Sequence, residues 1–179
     1  TFDFGSSWST NEVVSRIFAT RLPASLMIGI PLLILETIIA VGIALAVAYV
    51  RGSFTDRAAM VTCTVAQSVS ILVYIIVFQY VLAYKFGWFP VQGWGNGFIE
   101  NLFKFAALPI LIALVVSLAP NIRLYRTFLL DEVNQDYVRT ARAKGLSENR
   151  VMFVHVLRNA SIPIITNLMI QLPGLLVGL

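Results

Sequence analysis

The chain of 179 residues is 58% hydrophobic and only 12% charged, with a formal net charge of +4. Soluble domains carry roughly a quarter of their residues as charges, so this composition points to a membrane-embedded class and away from soluble enzymes. The basic residues flank apolar runs, which assigns them to membrane topology and not to a nucleic-acid surface.

"TFDFGSSWSTNEVVSRIFATRLP" opens the chain as a mixed segment, with Pro23 near an expected helix start. The first predicted span is 22–50, with Glu36 as its one charge, and the second is 58–84, with none. Each exceeds the roughly 20 residues that cross about 30 Å of hydrocarbon. "KFGWFPVQGWGNGF", 85–98, reads as a loop from its glycines and Pro90, and Trp88 and Trp94 suit the headgroup level. The third span is 105–126, apolar from Phe105 to Pro120. A polar loop then occupies about 131–160, and the last span is 162–179. The predicted fold is therefore all-α, a polytopic membrane helix bundle. The apolar run ending at Leu179 and the start at Thr1 fit a piece of a longer membrane chain. Cys63 stands alone in an apolar run, so no disulfide framework is expected within the chain, and it reads as a small buried residue.

Basic residues set the orientation. Arg51, Arg57, Arg123, Arg126, Arg139, Arg142, Lys144, Arg150 and Arg158 fall on one side, against Arg16, Arg21, Lys85 and Lys104 on the other. The richer side is expected to be cytoplasmic.

Several residues in the spans invite a role. A charge at the depth of Glu36 is costly, so it must face protein or water. It either lines a water-filled path, where it could meet a cationic group such as a peptide's amino group, or partners a polar group on another helix or subunit, with or without a proton on its carboxyl. Gln67, Ser68, Ser70 and Gln79 make the second span polar, and they either line a path or bond between helices. Gly174 and Gly178 form a G-x-x-x-G contact motif. Pro31, Pro109 and Pro120 kink or end helices. His155 has no Cys/His/Asp neighbours in sequence and reads as structural. Nothing resembles a nucleophile–base or paired-carboxylate arrangement.

Tyr137–Lys144 carries good helix formers, and Gly145 follows where a left-handed cap is needed. Ser147 then reads as an N-cap with Glu148 in the next first turn. Val151, Val154 and Leu157 suggest an apolar stripe on a second helix. Physics alone gives helix, tight turn, helix. Such a pair reads as an amphipathic connector on anionic headgroups, or as a DNA-binding helix-turn-helix, which the adjacent spans disfavour; physics alone predicts no partner.

The stretch "DEVNQDYVRTARAKGLSENRVMFVHVLRNASIP", 131–163, closely resembles the cytoplasmic loop of ABC-importer permeases of the dipeptide/oligopeptide/nickel family. "DFGSSWS" before "RLPASL", and "GWFPVQGWGNGF" before "LPIL", resemble that family's outer segments in order. In the general importer pattern, E-A-A-x-x-x-G, nine residues, then I-x-L-P, this chain keeps Ala141, Gly145 and Leu157. Arg139, Thr140, His155 and Arg158 depart from it, as the peptide branch does. The acidic residue is absent, and any role for it does not transfer.

The resemblance implies that 1–179 is part of a single permease domain, with a coupling helix that docks on a cytoplasmic ATPase. The expected docking residues are Tyr137, Arg139, Thr140, Ala141, Lys144, Gly145, Leu146 and Ser147. Glu36, Gln67 and Gln79 are the candidates for the translocation path. Implied partners are a second related permease, two ATPase domains, an extracytoplasmic substrate-binding protein and membrane lipid. No cofactor is expected in this chain, since no G-x-x-x-x-G-K-[ST] loop occurs and ATP and Mg²⁺ would sit in the ATPase subunits. The implied location is a bacterial or archaeal plasma (inner) membrane. Peptide is the implied substrate, before nickel complexes or other small solutes. A secondary transporter would need more intramembrane charge than Glu36 alone supplies, and a membrane anchor or enzyme is the remaining rival class.

Overall fold

A computed structural model of the chain describes residues 5, 6, 8, 13–90, 93, 95, 97 and 100–177. The described residues are helical apart from connections and one isolated bridge, Ser6 with Val13. The helices are α1 (Val14–Tyr49), α2 (Phe54–Ser68), α3 (Ile71–Phe78), α4 (Ala107–Val133), α5 (Asp136–Ala143), α6 (Glu148–Arg150) and α7 (Leu157–Val177). Wide, π-type turns at Gln79–Lys85, Asn101–Ala106 and Val151–Val156 extend α3, lead into α4, and join α6 to α7. Three continuous helices, Val14–Tyr49, Asn101–Val133 and Glu148–Gly174, are long and apolar enough to cross a membrane. A fourth span is broken. Phe54–Ser68 and Ile71–Lys85 meet at an 88° bend.

That bend corrects the expectation of one straight helix over 58–84. Val69 and Ser70 leave the helical path, with Val69 extended at φ −86°, ψ 129° and Ser70 at φ −60°, ψ 141°. Local groups catch the freed backbone: the Ser70 hydroxyl accepts from Leu72 N at 3.4 Å, and the Tyr74 hydroxyl donates to the Ala66 carbonyl at 2.9 Å. The first helix also begins earlier than expected, at Val14, so Pro23 lies in its interior with Pro31. Pro120 likewise sits inside α4 and does not end it. Interior prolines are tolerated in membrane helices because side chains can serve the backbone they disturb.

α1 and α4 form the centre of the bundle, with α2 and α7 packed on them. α1 is apolar nearly all round, so polarity cannot select its inner face. Size does. Ala40, Ala44 and Ala48, four residues apart, are buried, while Ile34, Ile38 and Ile43 point outward. Small residues let two backbones approach and gain dispersion where the hydrophobic effect gives no preference. Ala119, Ile122, Tyr125, Leu129 and Val133 complete this core from α4, and Val138 and Ala141 extend it into α5.

The last span also starts earlier than 162. The second helix of the expected pair is no separate unit, because Glu148 begins one helix that continues to Gly174. Its stripe is also different from the three-residue steps expected. Val151, Met152, Val156, Ala160 and Ile164 are buried, whereas Val154 is 47% exposed. The π-type turn advances about 4.4 residues per turn, bringing Val151 and Val156 onto one face. The G-x-x-x-G motif is half visible, since Gly178 lies outside the described residues, as does Trp94.

Candidate coupling hairpin and intramembrane cavity

The basic end of the molecule is built from short-range rules. α5 ends in a Schellman turn: Leu146 N donates to the Ala141 carbonyl at 3.4 Å and Gly145 N to the Arg142 carbonyl at 2.9 Å. Gly145 takes φ +77°, where a Cβ would be strained even though the space beside it is open. Ser147 occupies the N-cap position of α6 with extended backbone, but its hydroxyl makes no capping bond. The turn is held instead by Arg142, whose Nε and Nη2 donate to the two Glu148 carboxylate oxygens at 3.0 and 2.6 Å. The Glu148 carboxylate pushes Arg142 further up from its already high pKa.

α5 is two-faced. Val138 and Ala141 are buried against the protein's own core, while Arg139, Thr140 and Lys144 are exposed. Tyr137 is exposed along one edge and donates its hydroxyl to Glu132 at 2.5 Å. Partial burial, and then the Glu132 carboxylate it serves, push the Tyr137 hydroxyl up. Tyr137, Thr140, Ala141, Lys144, Leu146 and His155 together line a shallow cavity of about 390 Å³. Five of the eight expected docking residues therefore share one concavity. Arg139, Gly145 and Ser147 lie outside its lining, and His155, read from sequence as structural, joins it. The Ala141 side chain packs inward, so only its small surface is offered outward.

The opposite loop, 50–53, is tied to the same end. Arg51 Nη1 donates to Asn134 Oδ1 at 3.0 Å, which ties this loop to the turn before α5. Beneath this contact lies a pair that sequence reading missed. Asp56 accepts from Arg126 Nε at 2.8 Å and Nη2 at 2.7 Å, and from Gly52 N at 2.8 Å, while the Ser53 hydroxyl accepts from Asp56 N. The signal was present as Ser53-Phe54-Thr55-Asp56, the S-x-x-D pattern that opens a helix.

The three path candidates do not converge. Gln67 lines a groove between α2 and α4, within 3.5 Å of Arg123 Nη1. Gln79 borders a small cavity with Pro90, Phe105 and Leu108. Glu36 alone is deeply placed, 5% exposed, with the Asn121 amide donating to its Oε1. It borders a partly open cavity of about 400 Å³ lined by α1, α4, α7 and the start of α3. Among the described residues no group of three or more His, Cys, Asp or Glu could hold a metal ion.

The chain is 31% identical to the di/tripeptide transport system permease protein DppB of Pseudomonas aeruginosa, over 98% of this chain and 59% of that protein. It is 33% identical to the oligopeptide transport system permease protein AppB of Bacillus subtilis, over 98% of this chain and 57% of that protein. The dipeptide transport system permease protein DppB of Escherichia coli is 28% identical over 98% of this chain and 59% of its own length. The chain thus spans little more than half the length of these curated relatives. Residues 38–179 match the family described as binding-protein-dependent transport system inner membrane component. With that match covering most of the chain, the chain belongs to the family of binding-protein-dependent transport system inner membrane components.

Proposed function

We propose that this chain is part of a permease subunit of an ATP-driven importer in the plasma (inner) membrane of a bacterium or archaeon. It forms a translocation path with a second related permease and takes its drive from two cytoplasmic ATPase domains. An extracytoplasmic binding protein delivers the substrate. Peptides are the favoured class, since the relatives are named for di/tripeptide and oligopeptide transport; nickel complexes or other small solutes are the alternative cargo.

One observation carries this reading. The α5 hairpin presents Tyr137, Thr140 and Lys144 outward, with Leu146 half-buried between the concavity and the core, is locked to that core by Val138 and Ala141, and continues through α6 into the last span. A push on its outer face is therefore delivered to a membrane-crossing helix. The concavity supplies an apolar seat at Leu146 and a cation at Lys144, the ingredients of a protein contact with a polar rim.

The test uses the intact complex in lipid. The paired substitutions Lys144→Glu and Leu146→Asp are expected to cut substrate-stimulated ATP hydrolysis by ~10-fold or more, consistent with loss of central contacts. Membrane insertion of the permease should be unchanged. Deletion of 136–159 with ATPase subunits still co-purifying and transport still coupled would overturn the docking reading.

A further inference from the structure

We propose that the Glu36 cavity is a water-accessible station for a primary ammonium group carried on an apolar body. Three independent observations lead there. The first is charge. Glu36 is buried within a helix long and apolar enough to cross a membrane, and none of the described salt bridges includes it. Its partner Asn121 is a neutral amide that orients the carboxylate without neutralising it. A carboxylate held so is a cation site awaiting its counter-charge, or else it carries a proton.

The second is the composition of the walls. Ser117, Asn121 and Gln171 face the same space as Glu36, and the rest of the lining is apolar, including Leu32, Val116 and Ile170. Few convergent polar groups in an otherwise apolar cavity of about 400 Å³ are the signature of a small-molecule site. An ammonium donates three hydrogen bonds and accepts none, which suits a carboxylate, amide oxygens and a hydroxyl. The hydrocarbon attached to it would lie against the apolar wall. A bare metal ion would lack the multiple carboxylate or imidazole ligands it requires.

The third is the broken helix. Ile71, the first residue of α3, borders the cavity, and the exposed break at Val69–Ser70 precedes it. Non-helical backbone at membrane depth persists only where protein covers it or water reaches it. In transporters, interrupted helices of this kind flank substrate sites near the midplane. An exposed interruption of the helix and a buried carboxylate border the same cavity, and we assign them to one site.

The inference rests on the permease reading, in that it places this cavity on the path, and its test is independent of the binding protein. In the intact complex in lipid nanodiscs, with Cys63→Ala as background, a thiol is introduced by Val116→Cys. Its reaction with cationic aminoethyl methanethiosulfonate and anionic sulfonatoethyl methanethiosulfonate is followed with and without ATP. With Glu36 present, the cationic reagent should be favoured ~10-fold or more over the ratio shown by a free thiol, as expected for a focused field. Glu36→Gln should collapse that preference. n-Butylammonium should slow the modification and 1-butanol should not, and Glu36→Gln should abolish the difference. No reaction in any nucleotide state, or a preference that survives Glu36→Gln, overturns the proposal and leaves Glu36 as a helix clasp or a protonated acid. Peptide-stimulated ATP hydrolysis on the same preparation reports the permease reading separately. Its failure alongside the expected thiol chemistry would retire the substrate assignment and keep the site.

Discussion

Asp56 shows how a charge can be structural at a membrane protein's rim. Its two oxygens are shared among the Arg126 guanidinium and the Gly52 amide, and its side chain is almost fully enclosed. Asp56→Ala would strand the Arg126 charge in a partly buried site, at a cost of about 3 kcal/mol. A thermal unfolding scan of the purified protein should show the loss, and the double change Asp56→Ala with Arg126→Met should recover much of it. A double variant no more stable than the single would mean that the pair is not coupled. Gly145 makes a different demand. Open space surrounds it, so the requirement is conformational, and Gly145→Val should destabilise the hairpin by about 1–2 kcal/mol through the left-handed backbone alone. Faster proteolysis between Arg142 and Arg150, with the rest of the chain protected, would report it.

At the scale of the helix, close approach and interruption decide what happens. Ala44 sits in the α1–α4 seam with neighbours Ala40 and Ala48 one turn away on either side, all buried. Ala44→Leu should overpack that seam and cost about 1–3 kcal/mol, whereas the same leucine at outward-facing Ile38 should be nearly neutral. Comparing the two by thermal unfolding in one detergent isolates the seam, and equal effects would refute it. The sequence makes the seam readable only in retrospect. In a helix apolar on every side, period and polarity carry no signal, and only the four-residue spacing of alanines does. The 88° bend was hidden for a related reason. Neither Gly nor Pro stands between Ser68 and Ile71, and apolar residues continue on both sides, so the serines looked like helix polarity instead of a break with a cap at Ser70. Gly145 was legible because one conformation, φ > 0, strongly selects one residue. The Val154 stripe failed because the π-type turn changed the period to which the residues had been matched.

For the whole molecule, the arrangement couples two ends that the sequence presents as unrelated. The loop after α1, the rim pair Asp56–Arg126, and the α5 hairpin lie together at the basic end. The family and the helix–turn–helix hairpin were readable from residues 131–163, but the convergence of Glu36, Asn121 and Gln171 was not, since they lie on three helices far apart in the chain. The run from Glu148 to Gly174 is one helix, with the hairpin at its base and Gln171 and Gly174 at the cavity wall. From residue 148 to 171, at 1.5 Å per residue, this rod is about 35 Å long. A tilt of about 5° at its foot would sweep the far end through about 3 Å, roughly the width of one methyl group or a water molecule. By that leverage, a small displacement on one side of the bilayer is enough to admit or exclude a single layer of atoms beside Glu36.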